Sequence, residues 1–217
     1  NLQPETINLR DTLSDLTHLL NRLVGERVTL ILDHDPALSH IKADKRQLEQ
    51  VLMNLVVNAR DAMDGAGEIR VRTENRTLRT AMVRDRAVVP AGEYVVVSVV
   101  DQGAGIAPES LPKIFEPFYT TKRVGEGTGL GLSTAYGIVK QTGGYIFADT
   151  EVGAGATFSL MFPAYNAPAA VPFKRPQATP GPISGKSEGV ILLVEDEAPV
   201  RAFASRALRL QGYTVLE

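Results

Sequence analysis

Residues 101–132 read DQGAGIAPESLPKIFEPFYTTKRVGEGTGLGL and hold two glycine clusters. The first, Asp101-Gln-Gly103-Ala-Gly105, leaves the β-branched run 93–100, which suits a central strand. The second, Gly125 to Gly131, leads into a helical pattern over 133–141. A strand end and a helix start must therefore both emerge from glycine-lined turns. Glycine this dense lets backbone approach a ligand closely, and a nucleotide is the candidate.

The remaining periodicities supply the scaffold. Leu9, Leu13, Leu16, Leu19, Leu20 and Leu23 recur at helical spacing, with Gly25 as a stop. Residues 28–32 read as a short strand, 33–36 as a turn, and 44–63 as a longer helix with Leu48, Val51, Leu52, Leu55, Val56, Ala59 and Met63 on its core face. On an adjacent stripe of that helix, Asn54, Asn58 and Asp61 at i, i+4 and i+7 direct polar oxygens toward a common point, a pattern that a solvated face also produces. Residues 68–74 alternate as a strand, 75–92 read as a long basic hairpin loop, 145–149 as a strand, and 156–162 as a final strand after the Gly153–Gly155 turn. This order gives an α/β (α+β) two-layer sandwich: one mixed, mostly antiparallel sheet covered on one face by helices.

Residues 1–163 form that domain, 164–188 have the Pro, Ala and Gly composition of a flexible linker, and 189–217 open a second α/β domain that is cut off. Within the linker, the segment 181–187, GPISGKS, mimics a phosphate loop. It is one residue short between its glycines and follows no strand, so it is rejected.

A net charge of −2 and a pI near 6.0 argue against nucleic acid held by general basicity. With no cysteine there are no disulfides or thiolate metal sites, and His18, His34 and His40 are too scattered for a metal centre. No run approaches the ~20 apolar residues of a membrane span. The chain thus reads as a soluble, cytoplasmic piece of a longer protein, without direct membrane contact, beginning inside a helix.

Asp101, ending a buried-type strand, can accept a hydrogen bond from an exocyclic amine such as adenine N6, with Gly103 and Gly105 making room for the purine; a tight turn accounts for the same residues. Gly127, Gly129 and Gly131 coincide with a helix start, where free N–H groups face phosphate oxygens and Lys122, Arg123 and Thr128 add donors. Neither cluster has the Rossmann spacing. Mg²⁺ keeps several waters, so the single amide oxygen of Asn58 suffices as a protein ligand. Position 54 holds an amide rather than a water-activating carboxylate, so no general base stands beside it.

In order, these pieces resemble the catalytic, ATP-binding domain of sensor histidine kinases, in the Bergerat-fold superfamily shared with gyrase, Hsp90 and MutL-type ATPases. Gln50-x-x-x-Asn54-Leu-x-x-Asn58-Ala-x-Asp61-Ala resembles the N box, and Asp101-x-Gly103-x-Gly105-Ile106 the first glycine box. Phe115-Glu-Pro-Phe118 resembles the F box, and Gly127-Thr128-Gly129-Leu130-Gly131-Leu132 the second glycine box. The resemblance implies that Asn58 coordinates Mg²⁺, Asp101 binds adenine and Thr157 supports adenine through water. Lys122 and the 127–131 backbone would hold phosphates in a lid, and Asn54 stands where the hydrolases of the superfamily carry their glutamate.

It further implies phosphoryl transfer to a histidine on a separate dimerisation domain, with a superfamily hydrolase or a non-catalytic nucleotide sensor as the alternatives. The tail, with Glu195-Asp196-Glu197, resembles the start of a receiver domain, as in hybrid kinases, and the details look most like the CckA type of alphaproteobacteria. That likeness raises cyclic di-GMP as a second ligand, for which Tyr136, Lys140 and Tyr145 offer a stacking platform, although the same residues would also merely cover the sheet.

Overall fold

The computed structural model describes residues 4–85, 87–122, 127–165, 190–193, 205–206, 208–209 and 212–216. The chain divides into two compact units, Asn1–Ala170 and Val171–Glu217.

In the first unit the elements run β1 (Glu5–Ile7), α1 (Leu9–Val24), β2 (Val28–His34), β3 (His40–Ala43), α2 (Lys45–Ala62), β4 (Gly67–Leu78), β5 (Met82–Arg84), β6 (Ala87–Val89) and β7 (Gly92–Asp101). A 3-10 turn (Leu111–Lys113), α3 (Gly131–Gln141), β8 (Tyr145–Glu151) and β9 (Gly155–Tyr165) follow. The seven-stranded sheet has the order β1-β3-β9-β7-β4-β2, with β8 also paired to β9. Among the described residues of this sheet, only β2 and β4 run parallel; its other pairs are antiparallel. The expected sandwich is therefore present, and its physical basis is the alternation along β7. Val95, Val97 and Val99 join the core under α1, α2 and α3, whereas Tyr94 and Val96 belong to a smaller cluster on the opposite face.

The N-terminal end differs from expectation. Rather than beginning inside a helix, the described chain begins with β1, and Asn8 caps α1 by accepting from Arg10 N. β1 and β3, three and four residues long, escape a periodicity window, although His40-Ile-Lys-Ala43 does alternate exposed and buried. β3 extends the sheet past the expected end of the last strand: Ala164 and Tyr165 of β9 pair with Ile41 and His40.

The basic segment 75–92 is not a plain loop. β4 continues to Leu78, and β5 and β6 form a hairpin folded over the open face of the sheet. Its inward residues Met82, Ala87 and Val89 pack with Tyr94, Val96, Phe147 and Met161. Arg84 fastens it, bonding Asp149 at 2.6 Å and lying 4.8 Å over the Phe147 ring.

In the second unit, β10 (Val190–Leu192) and β11 (Thr214–Leu216) pair in parallel. Of the expected linker 164–188, Ala164 and Tyr165 belong to β9, and the remaining residues 166–188, with Glu195–Glu197, lie outside the described residues.

Candidate functional site

α2 is capped by Asp44, whose side chain accepts from Gln47 N, and it buries Leu48, Val51, Leu52, Leu55, Val56 and Ala59. Burying that stripe fixes the helix rotation and so sets the polar stripe beside it. Asn54 Nδ2 donates to the Gly131 carbonyl at 3.0 Å, joining α2 to the first residue of α3. A Cβ at Gly131 would lie 3.7 Å from Asn58 Nδ2, so the second glycine cluster passes directly over both asparagines. Asp61 binds the Lys122 ammonium at 2.5 Å through Oδ2 and Arg60 at 2.6 and 2.9 Å through Oδ1. Burial pushes the Asp61 carboxyl up, but the Lys122 and Arg60 hydrogen bonds outweigh it and hold the group below its ordinary value.

Asp101 is 4% exposed and, two residues beyond Val99, stands on the helix-covered face. Its Oδ1 accepts from the backbone N–H groups of Gly103 at 2.8 Å and Ala156 at 3.3 Å. Burial raises its pKa, and those two hydrogen bonds oppose the rise without cancelling it. The nearby glycines are demanded by protein backbone. A Cβ would come within 2.5 Å of Ala62 O at Gly103, 2.2 Å of Glu151 O at Gly105 and 2.1 Å of Asp101 O at Gly155. Ile106 N donates to Thr150 Oγ1 at 2.8 Å, closing the loop against the β8–β9 hairpin.

Thr157 is not brought to this point. It pairs with Val100 and Asp149, while its neighbours Ala156 and Phe158 join the helix-side core, so the pleat carries its side chain to the face opposite Asp101. The strand's contribution beside Asp101 is instead the Ala156 N–H.

The second glycine cluster is built on the F-box segment. Phe118 N donates to Gly129 O at 2.9 Å, and Gly129, at φ 65°, leaves no room for a Cβ above the Phe118 backbone. Phe118 has a left-handed φ of 67° and is 74% exposed. Gly127 rests on the aliphatic stem of Lys122, 3.0 Å from Cδ to a would-be Cβ. Thr128 Oγ1 accepts from Leu130 N. Leu130 is partly exposed, and Leu132 packs against the core. Arg123 and Gly125 lie outside the described residues.

α3 starts at Gly131 with no side-chain cap, unlike α1 and α2. Among the described residues no side chain caps its first N–H groups, the kind of helix end that can take an anion. Among the described residues no cluster of three acidic or histidine side chains forms a metal cage. A divalent cation here would draw its other ligands from phosphate and water, which suits Mg²⁺ with the one amide of Asn58.

Tyr136, Lys140 and Tyr145 do converge. The Lys140 ammonium lies 5.5 Å from the Tyr136 ring centroid and 4.9 Å from that of Tyr145. Thr150 and the Arg60–Asp61 pair were not assigned site roles from sequence. Asp61 sat on the recognised stripe, but its partner is 61 positions away, and nothing local signals that pairing.

Residues 43–166 match the family described as histidine kinase-, DNA gyrase B- and HSP90-like ATPases. The chain is 48% identical along its whole length to the sensor kinase CckA of Brucella abortus and spans 23% of that protein. It is 34% identical over 73% of its length to the sensor histidine kinase ZraS of Salmonella typhimurium, spanning 31% of it. The catalytic domain of histidine kinase ThkA aligns with a TM-score of 0.55 at 28% identity, covering 75% of this chain and 96% of that one. Full-length ShkA, solved with AMPPNP, shares the fold at a TM-score of 0.60 and 24% identity, covering 99% of this chain and 40% of that one.

Proposed function

The chain belongs to the histidine kinase-, DNA gyrase B- and HSP90-like ATPase family, and from that premise we propose that it binds Mg·ATP as the phosphoryl-donor half of a hybrid sensor histidine kinase. The acceptor is a histidine on a dimerisation domain of the same protein, and the tail opens a receiver. The observation that carries the reading is the uncapped start of α3 laid across Asn54 and Asn58.

In this arrangement Asp101 receives the adenine amine. Oδ1 is held by two backbone donors, which leaves Oδ2 for the base. The N–H groups at the start of α3 receive phosphate oxygens, and Lys122 supplies a positive charge beside them. Asn58 holds Mg²⁺, whose role is to neutralise charge on the phosphates. Asn54 is uncharged, and its amide N–H is committed to Gly131, so position 54 offers no carboxylate to activate water, which favours transfer over hydrolysis.

Asn58→Ala is expected to abolish the Mg²⁺-dependent part of ATP binding in calorimetry. Equal affinity with and without Mg²⁺ in both proteins would remove the assignment. Appreciable ATP turnover by the chain alone would favour the hydrolase reading instead.

Cyclic di-GMP is the proposed second ligand, on the ground that Tyr136 and Tyr145 present rings to one lysine. Tyr136→Ala should weaken cyclic di-GMP binding about tenfold, in line with the loss of one stacked base; an unaltered affinity rejects the platform.

A further inference from the structure

The polar stripe of α2 ends on a carboxylate that the nucleotide reading leaves without a role. We propose that Asp61 is a positioning residue for the triphosphate, holding the Lys122 ammonium beside Asn58 before any nucleotide arrives; the inference rests on the nucleotide reading.

Asp61 follows Asn58 by three residues and so shares its side of α2. Its two oxygens are divided. Oδ1 takes Arg60, and Oδ2 takes Lys122. Arg60 is itself tied down, because Nη1 donates to the Leu23 carbonyl at the end of α1 at 2.6 Å. The carboxylate is thereby braced from two helices through its Oδ1, on contacts that do not involve the glycine-rich loop.

Lys122 belongs to that loop, and its stem is where Gly127 rests. Fixing the ammonium therefore also fixes the platform under the second glycine cluster. A free lysine gives up much rotamer freedom when it captures a phosphate, and holding it in place beforehand removes that cost from binding. An ammonium has three donors; Asp61 occupies one and leaves two for phosphate oxygens. The pair is about one-quarter to one-third exposed, sheltered enough that it exceeds the value of a fully solvated surface bridge.

The test is calorimetric titration of the whole chain with AMPPNP and, separately, with AMP, which keeps the base but lacks the distal phosphates. Asp61→Asn should weaken AMPPNP about tenfold and leave AMP within about twofold. Lys122→Met should weaken AMPPNP similarly, and adding Asp61→Asn to it should cost nothing more, since Asp61 acts through the lysine.

Tighter AMPPNP binding by Asp61→Asn overturns the proposal, because Asp61 would then be competing with phosphate for the lysine. An unchanged AMPPNP affinity overturns it as well. So does an equal loss for AMP and AMPPNP, which marks a structural role, or a full loss that persists in the Lys122→Met background. Wild-type chain that binds neither ligand removes the nucleotide reading itself, a result distinct from all of these.

Discussion

Asp101 is kept as a carboxylate where burial disfavours its charge. Its folded pKa is raised from the ordinary 3.8, so between the unfolded and folded values the native state holds a proton that the unfolded chain has lost. Stability therefore declines as pH rises through that window, is penalised in full above the folded value, and is unaffected below about pH 3.8. Asp101→Asn keeps an oxygen for the Gly103 and Ala156 N–H groups and removes the charge. It is expected to stabilise the fold at pH 7, with the gain vanishing in denaturation curves taken below the ordinary carboxylate pKa. The same change turns an NH₂ group toward the base and should lower ATP affinity by more than about tenfold. Legibility in the sequence differs among these residues. Asp101, Asn54 and Asn58 announce themselves by sitting at the end of an apolar run or along one helix stripe. Thr157 was misplaced because its motif lacks information about pleat parity, which the packing of Ala156 and Phe158 settles.

Among these helices, α1 and α2 begin on side-chain caps and α3 does not. Helix α3 also carries glycine at its first position, which lowers its intrinsic stability. Its first turn is thus the place where an anion gains most and where a ligand should leave the clearest trace. AMPPNP is expected to slow amide hydrogen exchange at Gly131, Leu132 and Ser133 by at least about tenfold, while the first turn of α1 stays unchanged; equal protection at both would indicate only global stabilisation. The three helices were readable because their apolar spacing persists over several turns. The β5–β6 hairpin was not. Its strands are three residues long, and its arginines resemble solvated loop residues until Arg84 meets Asp149 and the Phe147 ring across the sheet.

At the scale of the whole molecule, no helix among the described residues is long and apolar enough to cross a membrane. We propose that the unit Asn1–Ala170 is a complete nucleotide-binding module. A chain ending at Ala170 is expected to bind AMPPNP within about twofold of the full chain. One ending at Phe162 loses the pairing of Ala164 and Tyr165 with β3 and the Lys42 contact with the Tyr165 ring, and should melt lower by about 2–4 °C. Thermal denaturation of the two chains checks this, and equal midpoints would show the β3–β9 pairing to be dispensable.

The amino-acid sequence by itself determined the layers, the helical faces and the order of the site's motifs, since each rests on a period or spacing expressed within a few tens of residues. Tertiary structure alone decided which groups meet. The reach of Asp61 to Lys122, the bond from Asn54 to Gly131 and the backbone contacts that require Gly105 and Gly155 all join segments far apart in the chain. Local pattern carries no information about such contacts, because they arise only when the sheet and helices pack.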